Sequence, residues 1–595
     1  MKKLKSLFRK FLMIFAALLV VSLGIYVYVK FSVTYYSPME RVPGDGIFII
    51  QTDNGAKAWR KISGSEFWKH LQKQADFREL TQGTDAVNDL FSKYPQFTDW
   101  VFSGKDITVS AHPHPSKKTT YEFLLLADMG GKFAIPGTET LNTYLEGYEI
   151  VPSDSFNTIP LYKVYDLREP ESAPLVSFAF LNNLFIASPS DSLVRLTILG
   201  ENTDYYAEDE YFQIAQREAA NGIGDLYVQY DYLDEFAGYF LNEQNPYVKD
   251  LSRSLRFSAL GLEIDQEGEE LEVISLRGAT TIRDTLGSYV RAAMASGRGD
   301  VRAPRILPQN TSFYFSLTFE DFLTFYDNVD AFLQEDERSY AEYEKNVRKL
   351  EKFLKINLRE DVMSWMADEM AVVHINRSDL AAEDRFALAI RSTDINFARE
   401  RLAFITDQVR RKTPVKFKTF DYNQHQISFL SIKGFFKIFL GRYFDKIEKP
   451  YFTIVEDYVV FSNSPQTLKS IIDDYQADLT LAVDDNFRDF FGRFNDNSTF
   501  FAYLNTGTLP NTMRGFLDTE SYTDLRLNRD FITCFSQIGM QLREDDGMFD
   551  TKLYAHFEEP SKVRQRMNDL IAAQRKYQRE GNEKRGLNRI TSMFS

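Results

Sequence analysis

Residues 176–198 read VSFAFLNNLFIASPSDSLVRLTI, and residues 451–472 read YFTIVEDYVVFSNSPQTLKSII. Each stretch holds two apolar runs around a polar pair, then a Ser/Pro segment that opens a helical pattern. The spacing predicts a two-strand meander followed by a short helix starting near Ser190 or Pro465. Asp191 and Ser192 are candidate caps of the first helix and Thr467 of the second. Leu193 and Leu468 correspond at a shift of 275 residues, and Phe212 and Phe487 correspond at the same shift.

Working outward, other segments recur in the same order. Val42-Pro43-Gly44-Asp45 leads into the apolar run Ile47–Ile50, and Leu307-Pro308-Gln309-Asn310 leads into Phe313–Leu317. Trp100 and Trp365 each precede a strand-like run, ITVSAH (107–112) and MAVVHI (370–375), at a shift of 265. RFSALGLEIDQEGEELEVISL (256–276) parallels CFSQIGMQLREDDGMFDTKLY (534–554), with Gly261 and Gly539 at a shift of 278. A slow drift in offset is what loop insertions produce in a duplicated unit. The expected fold is therefore α+β: one N-terminal transmembrane helix, then two tandem copies of a mostly antiparallel unit. The copies are expected at residues 40–285 and 307–557, joined by a Gly- and Pro-bearing linker at 286–306. Helices are expected at Trp59–Leu80 and Tyr340–Leu354. In the second, Tyr343, Val347, Leu350 and Leu354 share one face. The acidic turns Gln266-Glu267-Gly268 and Glu544-Asp545-Asp546-Gly547 are read as hairpin turns closing each copy.

The N-terminus has a different character. Residues 1–10, MKKLKSLFRK, form a basic cytoplasmic segment, and Phe11–Val29 are nineteen residues without a charge. At about 1.5 Å per residue that stretch nearly spans a hydrocarbon core of about 30 Å. A cleavable signal peptide is the alternative, but the stretch runs into Tyr26-Val27-Tyr28-Val29 without a small-residue cleavage site. The basic flank predicts a cytoplasmic N-terminus, with everything after Lys30 outside.

Charge is divided just as sharply. Residues 1–30 carry six basic residues and no acid, and residues 561–595 carry nine basic residues against three acids. With a total of −15, those two +6 ends leave −27 on residues 31–560. Such a body repels nucleic acid, which is not an expected partner. The basic tail, 558–595, is expected to start as a helix capped by Ser561, docked by Val563, Met567, Leu570 and Ile571.

No catalytic, cofactor-binding or metal-ligating residue is singled out. His112-Pro113-His114 has a spacing that metal sites use, but no third ligand accompanies it, and a solvated loop is the reading preferred. His374 is expected as a hydrogen-bonded core residue and Cys534, the single cysteine, as a buried thiol. Glu208-Asp209-Glu210 and Asp484-Asp485 suit the first turn of a helix.

The basic start, the single span, the V-P-x-D-x-apolar opening at Val42–Ile47 and the S-P-S-D-S-L segment at Ser188–Leu193 resemble a family of unknown function. That family comprises single-span envelope proteins of Gram-negative bacteria with periplasmic bodies. The resemblance implies an inner-membrane location and carries no functional residue. Three functions stay open: a periplasmic protein that binds or organises an envelope protein or polymer, an envelope-polymer hydrolase using carboxylates, and a carrier of apolar ligands.

Overall fold

The structure is a computed structural model. It describes residues 34–73, 104–113, 121–130, 147–167, 173–200, 204–237, 246–268, 271–283, 288–335, 337–377, 380–412, 419–430, 432–440, 446–508, 512–515, 517–573 and 575–576. The span expected at Phe11–Val29, its basic flank, Trp100, His114 and the tail beyond 576 lie outside them. Among the described residues no helix is long and apolar enough to cross a membrane. The architecture is α+β with extensive antiparallel sheet. The chain divides into two compact units, Met1–Ala58 with Tyr94–Asp209, and Trp59–Lys93 with Glu210–Ser595.

The first unit contains β1 (Phe48–Thr52), β2 (Ile107–Pro113), β3 (Tyr121–Asp128), β4 (Tyr148–Phe156), β5 (Ile159–Asp166), β6 (Val176–Leu181) and β7 (Leu184–Ser188). They pair antiparallel in the order β1-β2-β3-β7-β6-β5-β4. The β4–β5 hairpin turns on Asn157 and Thr158, both left-handed at φ 50° and 67°. A two-residue loop of this hand matches the natural twist of the strands. A helix at Asp191–Leu199 follows β7 and buries Leu193, Val194 and Ile198. Its N-cap is Ser190, whose side chain accepts the Leu193 N–H, rather than the expected Asp191 or Ser192. The helix itself starts where the pattern placed it, near Ser190.

The second unit contains β8 (Gly224–Gln229), β9 (Leu255–Glu267), β10 (Leu271–Ile282), β11 (Gly299–Asp300), β12 (Thr311–Thr318), β13 (Met366–Ile375), β14 (Phe386–Ser392), β15 (Thr419–Tyr422), β16 (His425–Phe429), β17 (Tyr451–Val455), β18 (Tyr458–Ser462), β19 (Asn497–Ser498), β20 (Phe500–Asn505), β21 (Phe535–Asp545) and β22 (Met548–Glu558). One arm runs β12-β13-β14-β18-β17-β16-β15. The other runs β12-β20-β21-β22-β10-β9-β8. All these pairs are antiparallel.

Five helices of this unit are labelled here: α1 (Phe322–Leu333), α2 (Glu337–Leu354), α3 (Ile395–Lys412), α4 (Pro465–Gln476) and α5 (Asp485–Phe491). On one face of the sheet Phe322 and Phe325 of α1, Leu350 and Leu354 of α2, and Leu402 and Ile405 of α3 pack with Trp365, Met370, Leu388 and Phe461. On the other, Leu468 and Ile471 of α4 and Phe487 and Phe490 of α5 pack with Tyr314, Val373, Ala389 and Val460. Helices on both faces explain why Met370–Ile375 is apolar without alternation.

Two sequence expectations meet a different arrangement. The described part of the expected linker, 288–306, is built into the fold: it contains a helix, Tyr289–Ala295, and buries Val290, Ala293, Val301 and Ile306. Glycines and prolines marked the turns there, while the burial depends on partners distant in sequence. Strands β8, β9 and β10, which the repeat boundaries assign to residues 40–285, pack with the later strands. The cause is the β10–β22 ladder, which runs from Leu271↔Glu558 to Thr280↔Phe549.

Candidate functional site: a polar groove beside α3

Helix α3 is amphipathic. Ala398, Leu402, Ile405 and Val409, spaced by 4, 3 and 4, are buried in the core. Arg399, Ala403, Thr406, Asp407 and Arg410 share a flank of the helix beside that stripe and form one wall of a groove of about 620 Å³. The other wall is the β15–β16–β17 ribbon. Its residues Gln424, Gln426 and Ser428 alternate onto one face, as strand geometry requires. Ser428 pairs with Phe452, and Ile454 and Glu456, two and four residues further on, also line the groove. The turn that starts β16 is Asn423-Gln424, both left-handed at φ 48° and 66°.

The groove's chemistry is mixed and mainly polar. Asp407 is shared between Arg410 at 2.5 Å and Arg411 at 2.6 Å. Glu456 accepts the Tyr475 hydroxyl at 2.9 Å and lies 3.6 Å from Arg305. His425 lines the groove, and its Nδ1 donates to the Ile454 carbonyl at 2.8 Å. In a neutral ring that bond leaves Nε2 as an acceptor. Arg399 bonds to Asn396 Oδ1 at 2.9 Å. These groups make the groove a set of donors and acceptors on two well-packed elements.

Residues 387–531 match a family of proteins of unknown function, DUF3352. A DUF3352 domain therefore contains every residue that lines the groove. The resemblance expected from sequence is met at that level, an unassigned domain. No curated protein and no solved structure matches the chain.

The residues weighed in the sequence lie elsewhere. His112 is not in a solvated loop: it is 1% exposed on β2, with Nδ1 2.7 Å from Asp45 and Nε2 2.8 Å from Ser110. This is the spacing of a Ser-His-Asp triad. Ser110 is itself only 1% exposed, so its hydroxyl is sealed from substrate, and the network ties the entry of β1 to β2. His374 is buried as expected, but it stacks on Phe313 and packs against Phe386, and its Nδ1 has no hydrogen-bond partner. Burial holds its pKa down to about 4. Cys534 is fully buried, with Sγ 3.4 Å from His70 Nε2. Asp484 caps α5 by accepting the Asn486 N–H, the structural role expected of the acidic pair.

One buried carboxylate escaped the sequence reading. Glu369, on β13, accepts the N–H groups of Arg302 and Ala303 at 2.9 and 3.0 Å, and the hydroxyls of Ser316 and Tyr458. Burial still pushes its pKa up. It anchors the segment after β11 to the sheet. Its signal in the sequence was a pair of adjacent acids, Asp368 and Glu369, inside an otherwise apolar strand, MADEMAVV, which puts one of the two on each face.

Proposed function

We propose that this chain is a membrane-anchored binding or scaffolding protein of the bacterial envelope, with its body in the periplasm, and that the groove beside α3 is its binding site. The groove carries the reading. It places hydrogen-bonding side chains on a helix and a strand ribbon that are both fixed by a packed core, as a preorganised site requires. The anchor rests on the charge-free stretch Phe11–Val29 and its basic flank.

We also propose that the body arose by internal duplication. The strand order β1-β2-β3-β7-β6-β5-β4 has the same form as β12-β13-β14-β18-β17-β16-β15. Left-handed turn residues recur in matching places: Asn157 and Thr158 with Asn423 and Gln424, and Asn182 with Glu456. So does one side-chain bond. Ser188 Oγ donates to the Phe123 carbonyl and Ser462 Oγ to the Phe386 carbonyl, both at 2.7 Å.

A hydrolase acting on envelope polymers is the second reading, favoured by two carboxylates, Asp407 and Glu456, in one groove. A photo-crosslinking residue at Gln426, in intact cells, tests binding. Adducts at Gln426 and none at the exposed Lys349 of α2 are expected; a blank at Gln426 would remove the groove from consideration. Turnover of an envelope glycan or peptide that Asp407→Asn or Glu456→Gln abolishes, with folding intact, would replace the binding reading by the hydrolase.

A further inference from the structure

We infer that the groove takes an acidic glycan, an extended hydroxyl-rich chain bearing carboxylates, with Arg399 and Arg410 gripping the carboxylates. This rests on the groove being a binding site. Three observations point to that ligand class.

The first is the charge inside the groove. Asp407 is one carboxylate between two guanidinium groups, and Glu456 is answered by Arg305 and Tyr475. Arg399 faces a neutral amide, Asn396. Within the lining Arg399 and Arg410 match Asp407 and Glu456 in number, and Arg305 is shared with Asp457 at 2.8 Å; the one further cation is Arg411, the second guanidinium on Asp407, on a chain whose net charge is −15. Guanidinium forks suit planar carboxylates. Arg399 and Arg410 stand eleven residues apart on one helix face, about 16 Å at 1.5 Å per residue. The site therefore suits an oligomer with spaced charges rather than one small anion.

The second is the row between them. Gln424, Gln426 and Ser428 offer amides and a hydroxyl, and the acceptor Nε2 of His425 adds a partner for a hydroxyl proton. Groups that both donate and accept match sugar hydroxyls, which do the same.

The third concerns the alternatives. Peptide grooves rely on a free strand edge, apolar anchors or an aromatic-lined channel. Here Ala403, Phe452 and Ile454 are the apolar lining, and Phe452 is 8% exposed. The edge strand β15 contributes Thr419 alone. The acidic body also repels a densely charged polyanion such as nucleic acid, while a sparsely charged chain meets less opposition.

The test is binding of fluorescent oligogalacturonate to the purified full-length chain in detergent. The comparison probes are a neutral oligosaccharide of equal length and poly-glutamate. Oligogalacturonate should bind best, and Arg399→Gln and Arg410→Gln should each weaken it at least tenfold. Both positions are exposed, so the variants should fold, which their unfolding curves check. Equal binding of the neutral oligosaccharide overturns the role of the carboxylate. Tighter binding of poly-glutamate reassigns the groove to acidic peptides. In either case sensitivity to Gln426→Ala keeps the groove as a binding site while the glycan falls. No binding of oligogalacturonate by the wild-type chain overturns the inference, and the Gln426 crosslink then decides separately whether the groove binds anything.

Discussion

Ser462 illustrates how much a single buried hydroxyl can do. Its Oγ donates to the Phe386 carbonyl at 2.7 Å and accepts the Ser464 N–H at 3.3 Å, and Ser464 then caps α4. Ser188 repeats the pattern with Phe123 and Ser190. In both places the strand end, its neighbour and the next helix are joined by one side chain. Replacing Ser462 by alanine should cost roughly 1–3 kcal/mol, because it strands a buried N–H as well as losing a bond. Urea unfolding should show a lower midpoint with an unchanged slope. A shift within 0.3 kcal/mol would mean that water reaches the site. Gly261 acts at the same scale: a Cβ there would sit 1.8 Å from the Ala220 carbonyl oxygen. The recurrence of Gly261 and Gly539 was visible as a match in the sequence. The two surroundings were not, since Gly539 is crowded by Phe490 and Phe494 instead.

Among the elements, strands β13 and β22 each carry a histidine that burial keeps neutral. His374 packs with Phe313 and Phe386, and His556 accepts a hydrogen bond from Arg493 at 2.9 Å. Both pKa values are held down to about 4 by burial, with nearby arginines adding to the effect. The unfolded chain titrates near 6.5 and takes up protons first, so these two sites favour the fold above pH 6.5. That preference is lost as pH falls from 6.5 to 4, by about 3 kcal/mol for each histidine. Unfolding free energy should therefore drop steeply across that window. His556→Gln, which keeps an acceptor for Arg493, should remove about half of this drop. An unchanged pH profile would show that His556 is not what titrates. Helix α3 makes a different point. Its buried stripe is a plain 4-3-4 pattern, but the polar flank next to it became a groove wall only because β15–β17 fold back beside it.

For the whole molecule, the testable proposal is topology. With residues 1–10 in the cytoplasm and Phe11–Val29 uncleaved, protease added to spheroplasts should digest the body and leave a membrane-held N-terminal fragment. A mature chain beginning near Lys30 and free in solution would point to a signal peptide. The acidic charge of residues 31–560 matters at this scale too, because it sets which partners can approach.

What the sequence determined by itself were its local rules. Strand patterns, hairpin turns such as Asp546-Gly547 at φ 48° and 81°, the amphipathic face of α2 and the α+β class all depend on residues close in the chain. The likeness of 176–198 to 451–472, on which the proposed duplication rests, was equally legible, because it needs only the comparison of two stretches. Tertiary structure decided everything that joins distant residues. The β10–β22 ladder draws β8–β10 into the second unit, Val290, Ala293, Val301 and Ile306 are buried, and Asp45 meets His112 across 67 positions. The groove belongs to this second class. Its walls, drawn from residues 399–410, 419–428 and 452–456, are each ordinary in sequence, and their chemistry appears only when packing sets one helix face against one strand face.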